Sequence, residues 1–471
     1  MKRVALHNLG CKVNAYETDI MQQMLEEKGY EIVPFHGVAD IYIVNTCTVT
    51  NIADRKSRQM LHQAKARNPQ AIVVAVGCYV QTGGEEAAKD ASIDLAIGNN
   101  KKKELVPILE EFLSQREKEA EERTGKKEEK TLNGTSMIDI NAGCDYEEVK
   151  LQKTAEHTRA YIKIQDGCNQ FCSYCIIPYA RGRVRSRRWE DIRQEMEGLA
   201  KAGYKEVVFT GIHISSYGLD LDDEAWEQGR SLTRTQESGG RDYRGSAKLL
   251  DLLERVVDIP GIERIRLGSL EPRIITRETA GRLAAMPKIC PHFHLSLQSG
   301  CDETLKRMNR HYTTGEYLEC VGYLRDAYEH PAITTDVIVG FPGETDEEFE
   351  RTYSFLKEAA LYEMHIFKYS RRKGTVAAKM PGQIPTAVQA ERSSRLFALE
   401  KELSTAFRSA YIGNEAEVLF EDVKELNGKM YRLGHTAQYV KVAFKTEENL
   451  SNCIHKGRIT GFLEDEILLM Q

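Results

Sequence analysis

Three cysteines stand close together in the stretch IQDGCNQFCSYCIIPYARGRVRSRR, residues 164–188, as Cys168-x3-Cys172-x2-Cys175. The spacing puts three thiolates on one tight loop just after an apolar run. A protein-only zinc site wants four ligands. An iron–sulfur cube held by three thiolates leaves one iron open to another ligand, which suits chemistry better than scaffolding. The bland alternatives are half of a zinc knuckle or small buried hydrophobes. No Cys-x2-Cys pair elsewhere in the chain completes a knuckle.

A second trio emerges from the elements that would carry it. Val4–Leu9, Asp40–Asn45, Ala71–Val76 and Ile93–Ile97 read as strands, with helices expected over Glu17–Lys28 and Ile52–Arg67. Apolar runs alternating with helices mark a parallel sheet covered on both faces, here over roughly residues 1–110. Cys11, Cys47 and Cys78 each follow the C-terminal end of one of these runs. Loops at that edge of an open α/β sheet converge and collect ligands. One such cysteine reads as a small core residue; three at the same edge favour a second three-thiolate cluster. Cys144 belongs to no spaced set.

With 471 residues the chain is too long for one ordinary core. A net charge of −6 does not exclude RNA, because local basic patches matter more than the total. No apolar run approaches membrane-spanning length and the N-terminus shows no signal core, so no membrane partner and a cytoplasmic location are expected. Eleven cysteines in that setting point to thiolates or metal ligands rather than disulfides.

The expected division is a cluster-binding domain over 1–113, a charged linker over 114–157, a core over 158–405 and a small domain over 406–471. Ser136–Ile140 is a weak strand within the linker. In the core, six strand-like runs (Tyr161–Gln165, Val207–Thr210, Ile265–Gly268, Phe293–Leu297, Thr335–Val339 and His365–Tyr369) alternate with helical segments. Six βα units suggest a barrel or partly open barrel, with reactive loops at the C-terminal strand ends. A polar insertion spans 219–245. Alternation in Glu415–Phe420, Tyr439–Phe444 and Ile459–Leu463 predicts a small antiparallel barrel.

The cysteine spacing resembles the signature of radical S-adenosylmethionine (SAM) enzymes. The flanking Gly167, Asn169, Tyr174, Pro178, Arg181 and Gly182, with GCKVNAYET around Cys11, NTCTVT around Cys47 and GCY around Cys78, resemble more narrowly the methylthiotransferases. The threonylcarbamoyladenosine branch is the most similar. The resemblance implies an α/β chain: an N-terminal parallel domain, a central (β/α)6-type partial TIM barrel and a C-terminal RNA-binding TRAM barrel. It implies two 4Fe–4S clusters, one on Cys168, Cys172 and Cys175 and an auxiliary one on Cys11, Cys47 and Cys78. SAM would serve as radical source and as methyl donor. The expected partners are tRNA bearing threonylcarbamoyladenosine, a low-potential electron donor of flavodoxin or ferredoxin type, and a sulfur donor. Relatives acting on isopentenyladenosine in tRNA or on a ribosomal-protein aspartate stay as alternatives, as does a non-catalytic RNA-binding metalloprotein.

Against that family pattern, Tyr174, Thr210, Gly211, Ser269, Glu271, Ser296, Gln298, Asp336 and Gly340 are candidates for lining the SAM pocket. TGIHISSYG stands where many radical SAM enzymes carry Gly-Gly-Glu for the methionyl amine, so the acidic group is missing there. Gly340 reads equally as a tight turn, and Tyr174 equally as a packing residue. Arg181, Arg183, Arg185, Arg187 and Arg188 alternate along an extended stretch and are expected to clamp phosphates of RNA.

Overall fold

Apolar runs without alternation build the N-terminal sheet. A computed structural model describes residues 2–122, 134–142, 144–152, 158–221 and 244–471. Six parallel strands, β1 (Arg3–Asn8), β2 (Glu31–Ile32), β3 (Ile41–Thr46), β4 (Ile72–Gly77), β5 (Leu95–Ile97) and β6 (Gly134–Ser136), pair in the order β2-β1-β3-β4-β5-β6. β3 and β4 are buried throughout, because helices cover both faces. On one face Ile43 and Val74 pack with Met21 and Leu25 of α1 (Lys12–Glu27) and Leu109 of α4 (Leu105–Glu122). On the other, Tyr42, Val73 and Ala75 pack with Leu61 of α2 (Asn51–Arg67) and Val80 of α3 (Cys78–Ala88). The last strand, β6, comes from the stretch expected to be linker; 123–133 and 153–157 of that stretch lie outside the described residues.

The core begins with β7 (Arg159–Asp166), α5 (Ile177–Arg181), the short antiparallel β8 (Arg185–Ser186), α6 (Trp189–Lys201) and β9 (Glu206–Gly211). After α7 (Arg244–Val256) come β10 (Arg264–Leu267), α8 (Arg277–Ala284), β11 (His292–His294), α9 (Asp302–Arg307) and α10 (Thr314–Ala327). β12 (Ala332–Val339), α11 (Asp346–Ala359), β13 (Glu363–Lys368) and the long α12 (Thr386–Ser409) complete it. β7, β9 and β10 pair in parallel, as do β11, β12 and β13, and bridges Ile265–Ile289 and Leu270–Leu295 join the two sets. The six expected core strands are thus present in one parallel row. The helix α12 has no counterpart in the sequence expectation. Of the insertion, 222–243 lie outside the described residues.

Strand parity gives this row two unlike faces. Ile162, Phe209, Ile265, Phe293, Val337 and Met364 share the apolar core under the helices. The alternate residues, Lys163, Val208, Arg266, His294, Asp336 and His365, therefore share the opposite, concave face. β14 (Glu415–Leu426), β15 (Lys429–Thr436), β16 (Lys441–Phe444), β17 (Ile454–Glu464) and β18 (Ile467–Met470) close into a barrel, antiparallel except for the β16–β18 pair. This barrel docks on the start of the row, where Arg264 donates to the carbonyls of His435 and Glu417, each at 3.0 Å.

The N-terminal domain meets the core at both edges of the row. Glu17 of α1 is buried; its carboxylate accepts from Lys163 at 2.9 Å, from Arg181 at 2.8 Å and from Lys102. At the other edge, Arg372, beyond β13, binds Asp54 and Thr48 beside Cys47, and Asn51 donates to the Arg371 carbonyl at 2.9 Å. Burial alone would raise the Glu17 carboxyl, but Arg181, Lys102 and Lys163 together hold it well below its ordinary value. A carboxyl so depressed stabilises the folded chain at neutral pH, and that contribution is lost as pH falls through the folded-state value. Glu17→Ala leaves three cations facing each other without their shared anion. The expected loss is about 3–5 kcal/mol in denaturant titration at neutral pH, shrinking in acid. A loss below 1 kcal/mol would mean the network does not hold the domains together.

Candidate active site at the domain junction

The loop after β7 folds back on itself before it reaches its cysteines. Gly167 has φ +71°, and a Cβ there would stand 1.8 Å from the Arg183 carbonyl oxygen, so only glycine allows the turn. Cys168 N–H donates to the Gly182 carbonyl at 3.0 Å and Cys175 N–H to the Cys172 carbonyl at 2.9 Å. The thiols receive donors in turn: Gln170 N–H reaches Cys168 Sγ at 3.5 Å, and Arg310 Nη1 reaches Cys172 Sγ at 3.3 Å. Burial pushes the Cys168 thiol up to about 12 and Cys175 higher, with Cys172 adding to both. Crowded, half-buried thiols resist ionising side by side unless a metal takes up their charge. Two of the three sulfurs have N–H donors aimed at them, a setting that fits a cluster held by the three thiolates.

The second trio is assembled by the N-terminal sheet. Cys11 caps α1 at its N-terminus, Cys47 follows β3 and Cys78 opens α3. Gly10, at φ +102°, lies against Cys47; a Cβ would come within 2.7 Å of its sulfur. Ser57 Oγ accepts from Cys47 N–H at 3.1 Å. Burial pushes the Cys47 thiol up to about 11, and Cys78 and Cys11 press it in the same direction. Cys11 keeps accessible surface although protein crowds its thiol; that crowding raises it, Arg181 opposes and Cys78 adds. Asn99 Nδ2 donates to both Cys78 Sγ, at 3.4 Å, and the Ala180 carbonyl, at 2.8 Å. Ala180 lies on α5, which starts just after Cys175. One short helix therefore links the two trios.

Between them opens the concave face. Glu271 is buried there: its carboxylate accepts from Gln170 Nε2 at 3.3 Å and Arg273 Nε at 3.3 Å, and burial raises it. TGIHISSYG has no acidic residue, and Glu271 places a carboxylate beside the cysteine loop from a strand end further along the chain. Thr210 and Gly211 end β9, with Gly211 pressed against Gln165. Ser269 is exposed, and the Ser296 carbonyl accepts from Tyr312 OH at 2.6 Å. Gln298 has φ +72° and a backbone paired with Asp336 and Ile338. Tyr174 sits edge-on to Phe341 at 6.4 Å. Gly340 departs from the cofactor expectation: its N–H donates to Glu344 at 2.6 Å and its carbonyl accepts from Gln389, so the turn uses both groups internally. Asp336 lies below the strand end, 3.4 Å from His294. Arg310 is a residue that no motif signalled, because the loop between α9 and α10 brings it to Cys172 only in three dimensions.

The arginine stretch is mostly not a surface. Arg181, Arg185 and Arg187 are buried. Arg181 spans Glu17 and Asp166, Arg185 faces Asp166 at 3.5 Å, and Arg187 is held by Glu195 and Glu148. The expectation that all five clamp RNA is corrected for these three, since each guanidinium is consumed by buried carboxylates. Arg183, stacked over Phe171 at 4.5 Å, and Arg188 stay exposed.

Comparison with known proteins agrees with this geometry. Residues 162–356 match the family model described as "Radical SAM superfamily", and residues 3–98 that described as "Uncharacterized protein family UPF0004". Threonylcarbamoyladenosine tRNA methylthiotransferase MtaB of Bacillus subtilis is 39% identical over 460 residues, covering 98% of this chain and 94% of the relative. The MtaB of Aquifex aeolicus is 39% identical over 429 residues, covering 91% and 95%. tRNA-2-methylthio-N(6)-dimethylallyladenosine synthase of Moorella thermoacetica is 34% identical over 457 residues, covering 96% and 94%. Among solved structures, the radical SAM methyltransferase TsrM of Kitasatospora setae aligns with a TM-score of 0.53 at 16% identity, over 78% of this chain and 72% of that one, a likeness of fold.

Fold and cysteine loop thus define a radical SAM protein that carries iron–sulfur chemistry. Within that class, the chain belongs to the threonylcarbamoyladenosine tRNA methylthiotransferase family.

Gly167→Ala puts a methyl group into the Arg183 backbone and should open the cysteine loop. Iron bound per chain after anaerobic reconstitution is expected to fall below wild type. Undiminished iron would show that the loop does not bind it.

Proposed function

We propose that the chain transfers a methylthio group to C2 of N6-threonylcarbamoyladenosine next to the anticodon of tRNA. Membership of the family supports this, and one structural observation carries it: α5 ties the loop of Cys168, Cys172 and Cys175 to Cys78 of the second trio through Asn99. Two trios held that close suit a reaction in which hydrogen removal and sulfur delivery meet at one carbon.

In this reading Cys168, Cys172 and Cys175 hold one 4Fe–4S cluster, and Cys11, Cys47 and Cys78 hold the other. When bound, the clusters and SAM supply what side chains cannot, single-electron cleavage of SAM and sulfur for a C–H bond with no acidic proton. The protein's own groups orient and enclose. Glu271 accepts from the methionyl amine, and Arg310 offers a cation to the carboxylate of SAM as well as to Cys172. Tyr174, Thr210, Gly211, Ser269, Ser296 and Gln298 line the rest of the SAM site at the strand ends. Arg181, beside Cys11 and Cys78, offsets negative charge gathered at the second trio. The row of six strands corresponds to a partial TIM barrel, and the C-terminal barrel to a TRAM domain that holds tRNA, helped by Arg183 and Arg188. The domain division, an external electron donor and a sulfur donor belong to the same proposal, as does a cytoplasmic location. Among the described residues, no helix is long and apolar enough to cross a membrane.

The isopentenylated substrate is the nearest competitor. The concave face disfavours it, because His294, Asp336 and His365 would be desolvated against a hydrocarbon branch without partners.

Nucleoside mass spectrometry on tRNA from a deletion strain tests the reading. The methylthio group should vanish from threonylcarbamoyladenosine; its persistence, with no second copy of the gene, would overturn the assignment. Cys168→Ala should abolish deoxyadenosine formation. Cys47→Ala should keep that step and lose the methylthiolated product, and normal product from it would remove the second trio from the reaction.

A further inference from the structure

The interior of a closed barrel is ordinarily packed with branched apolar side chains. Here the concave face carries imidazoles and a carboxylate. β12 pairs with β13 so that Asp336 lies opposite His365 and Ile338 opposite Phe367, and β11 pairs with β12 so that His294 lies opposite Thr334. These residues therefore stand on one face in a tight group. His294 Nε2 and Asp336 Oδ2 are 3.4 Å apart, His294 Nδ1 and Thr334 Oγ1 are 3.0 Å apart, and the rings of His294 and His365 stack at 5.6 Å. His365 and Phe367 are exposed although they belong to the last strand of the row. Such a face offers N–H donors at His365, an acceptor at Asp336 and an aromatic surface at Phe367.

The ring nitrogens of His294 and His365 and a carboxylate oxygen of Asp336 lie within 4.8 Å of one another, so a metal ion is the competing occupant of this group. Lys12 opens α1, the helix whose Glu17 bonds Lys163 of the same concave face, so it brings a cation to that side of the row.

We propose that His365, His294 and Asp336, with Lys12, form the subsite that reads the N6 substituent of the target adenine. The imidazole N–H of His365 and the ammonium of Lys12 hold the threonyl carboxylate. Asp336, oriented by His294, accepts from the ureido N–H or the threonyl hydroxyl. Phe367 gives the base a face to stack on. This rests on the substrate proposed above and adds how that substrate is told apart from an apolar one. A polar site that a bound substrate covers rejects an analogue that leaves its groups unpaired more strongly than an apolar site rejects an added group.

The test uses reconstituted full-length enzyme and tRNA carrying either threonylcarbamoyladenosine or its carboxyl methyl ester. Wild type should favour the free carboxylate in kcat/KM by about tenfold or more, since a charged hydrogen bond is at stake. His365→Leu should bring that ratio close to one, mainly by raising KM for the free acid. Lys12→Met should also narrow it, and serves if the first variant folds poorly. A ratio that stays at the wild-type value in both variants overturns the subsite. So would a stoichiometric divalent metal in wild type that His365→Leu loses. If wild type methylthiolates neither RNA, the substrate assignment itself falls, an outcome distinct from an unchanged ratio.

Discussion

One buried carboxylate determines how the two halves of the molecule meet. Glu17 enters the junction on α1 and is met by Lys102 from its own domain and by Lys163 and Arg181 from the core. Asp166 accepts from Lys163 and Arg181 on the other side. A buried ion network of this sort is weak evidence for net stability, because desolvating so many charges is costly. It does restrict geometry: few docking poses satisfy every partner at once. Here the pose that satisfies them also lays α1 across the concave face and puts Cys11 and Cys78 beside Arg181.

The same network explains why the N-terminal domain serves as a wall of the active site. An open row of parallel strands leaves a concave face exposed between its edges. Glu17 anchors the domain at β7, and the contacts of Arg372 with Asp54 and Thr48 anchor it beyond β13. The row is thus closed off by a second sheet whose own cysteine-bearing edge faces inward. The small C-terminal barrel occupies the opposite, N-terminal end of the strands, where Arg264 and Arg266 bind its backbone carbonyls. RNA held by that barrel would have to reach along the body of the core to present one base to the cysteine end.

Charge is distributed by purpose rather than by total. The net charge of −6 says little, whereas individual guanidiniums stand beside particular cysteines. Arg181 stands by Cys11 and Cys78, and Arg310 by Cys172. Lys12 has accessible surface, yet enclosure by the protein and then the guanidiniums of Arg266 and Arg159 bring its ammonium down to about 8.

The spacing of Cys168, Cys172 and Cys175 and the place of Cys11, Cys47 and Cys78 after apolar runs were legible in the sequence, because both are local properties. The six core strands and the closed C-terminal barrel were legible for the same reason, through periodicity. What residues 181–188 do was not: alternation of arginine is the same pattern whether the side chains face water or buried carboxylates, and the partners Glu17, Asp166 and Glu195 lie on other elements. Arg310 comes to Cys172 on the short loop between α9 and α10, with no motif to mark it, and the grouping of His294, Asp336 and His365 depends on the register of three strands. Sequence by itself therefore determined where the cysteines stand relative to the strands and which segments become strands and helices. Only the tertiary structure decided which charges are spent on docking the domains and which stay on the open concave face, because that depends on what comes to lie opposite each side chain.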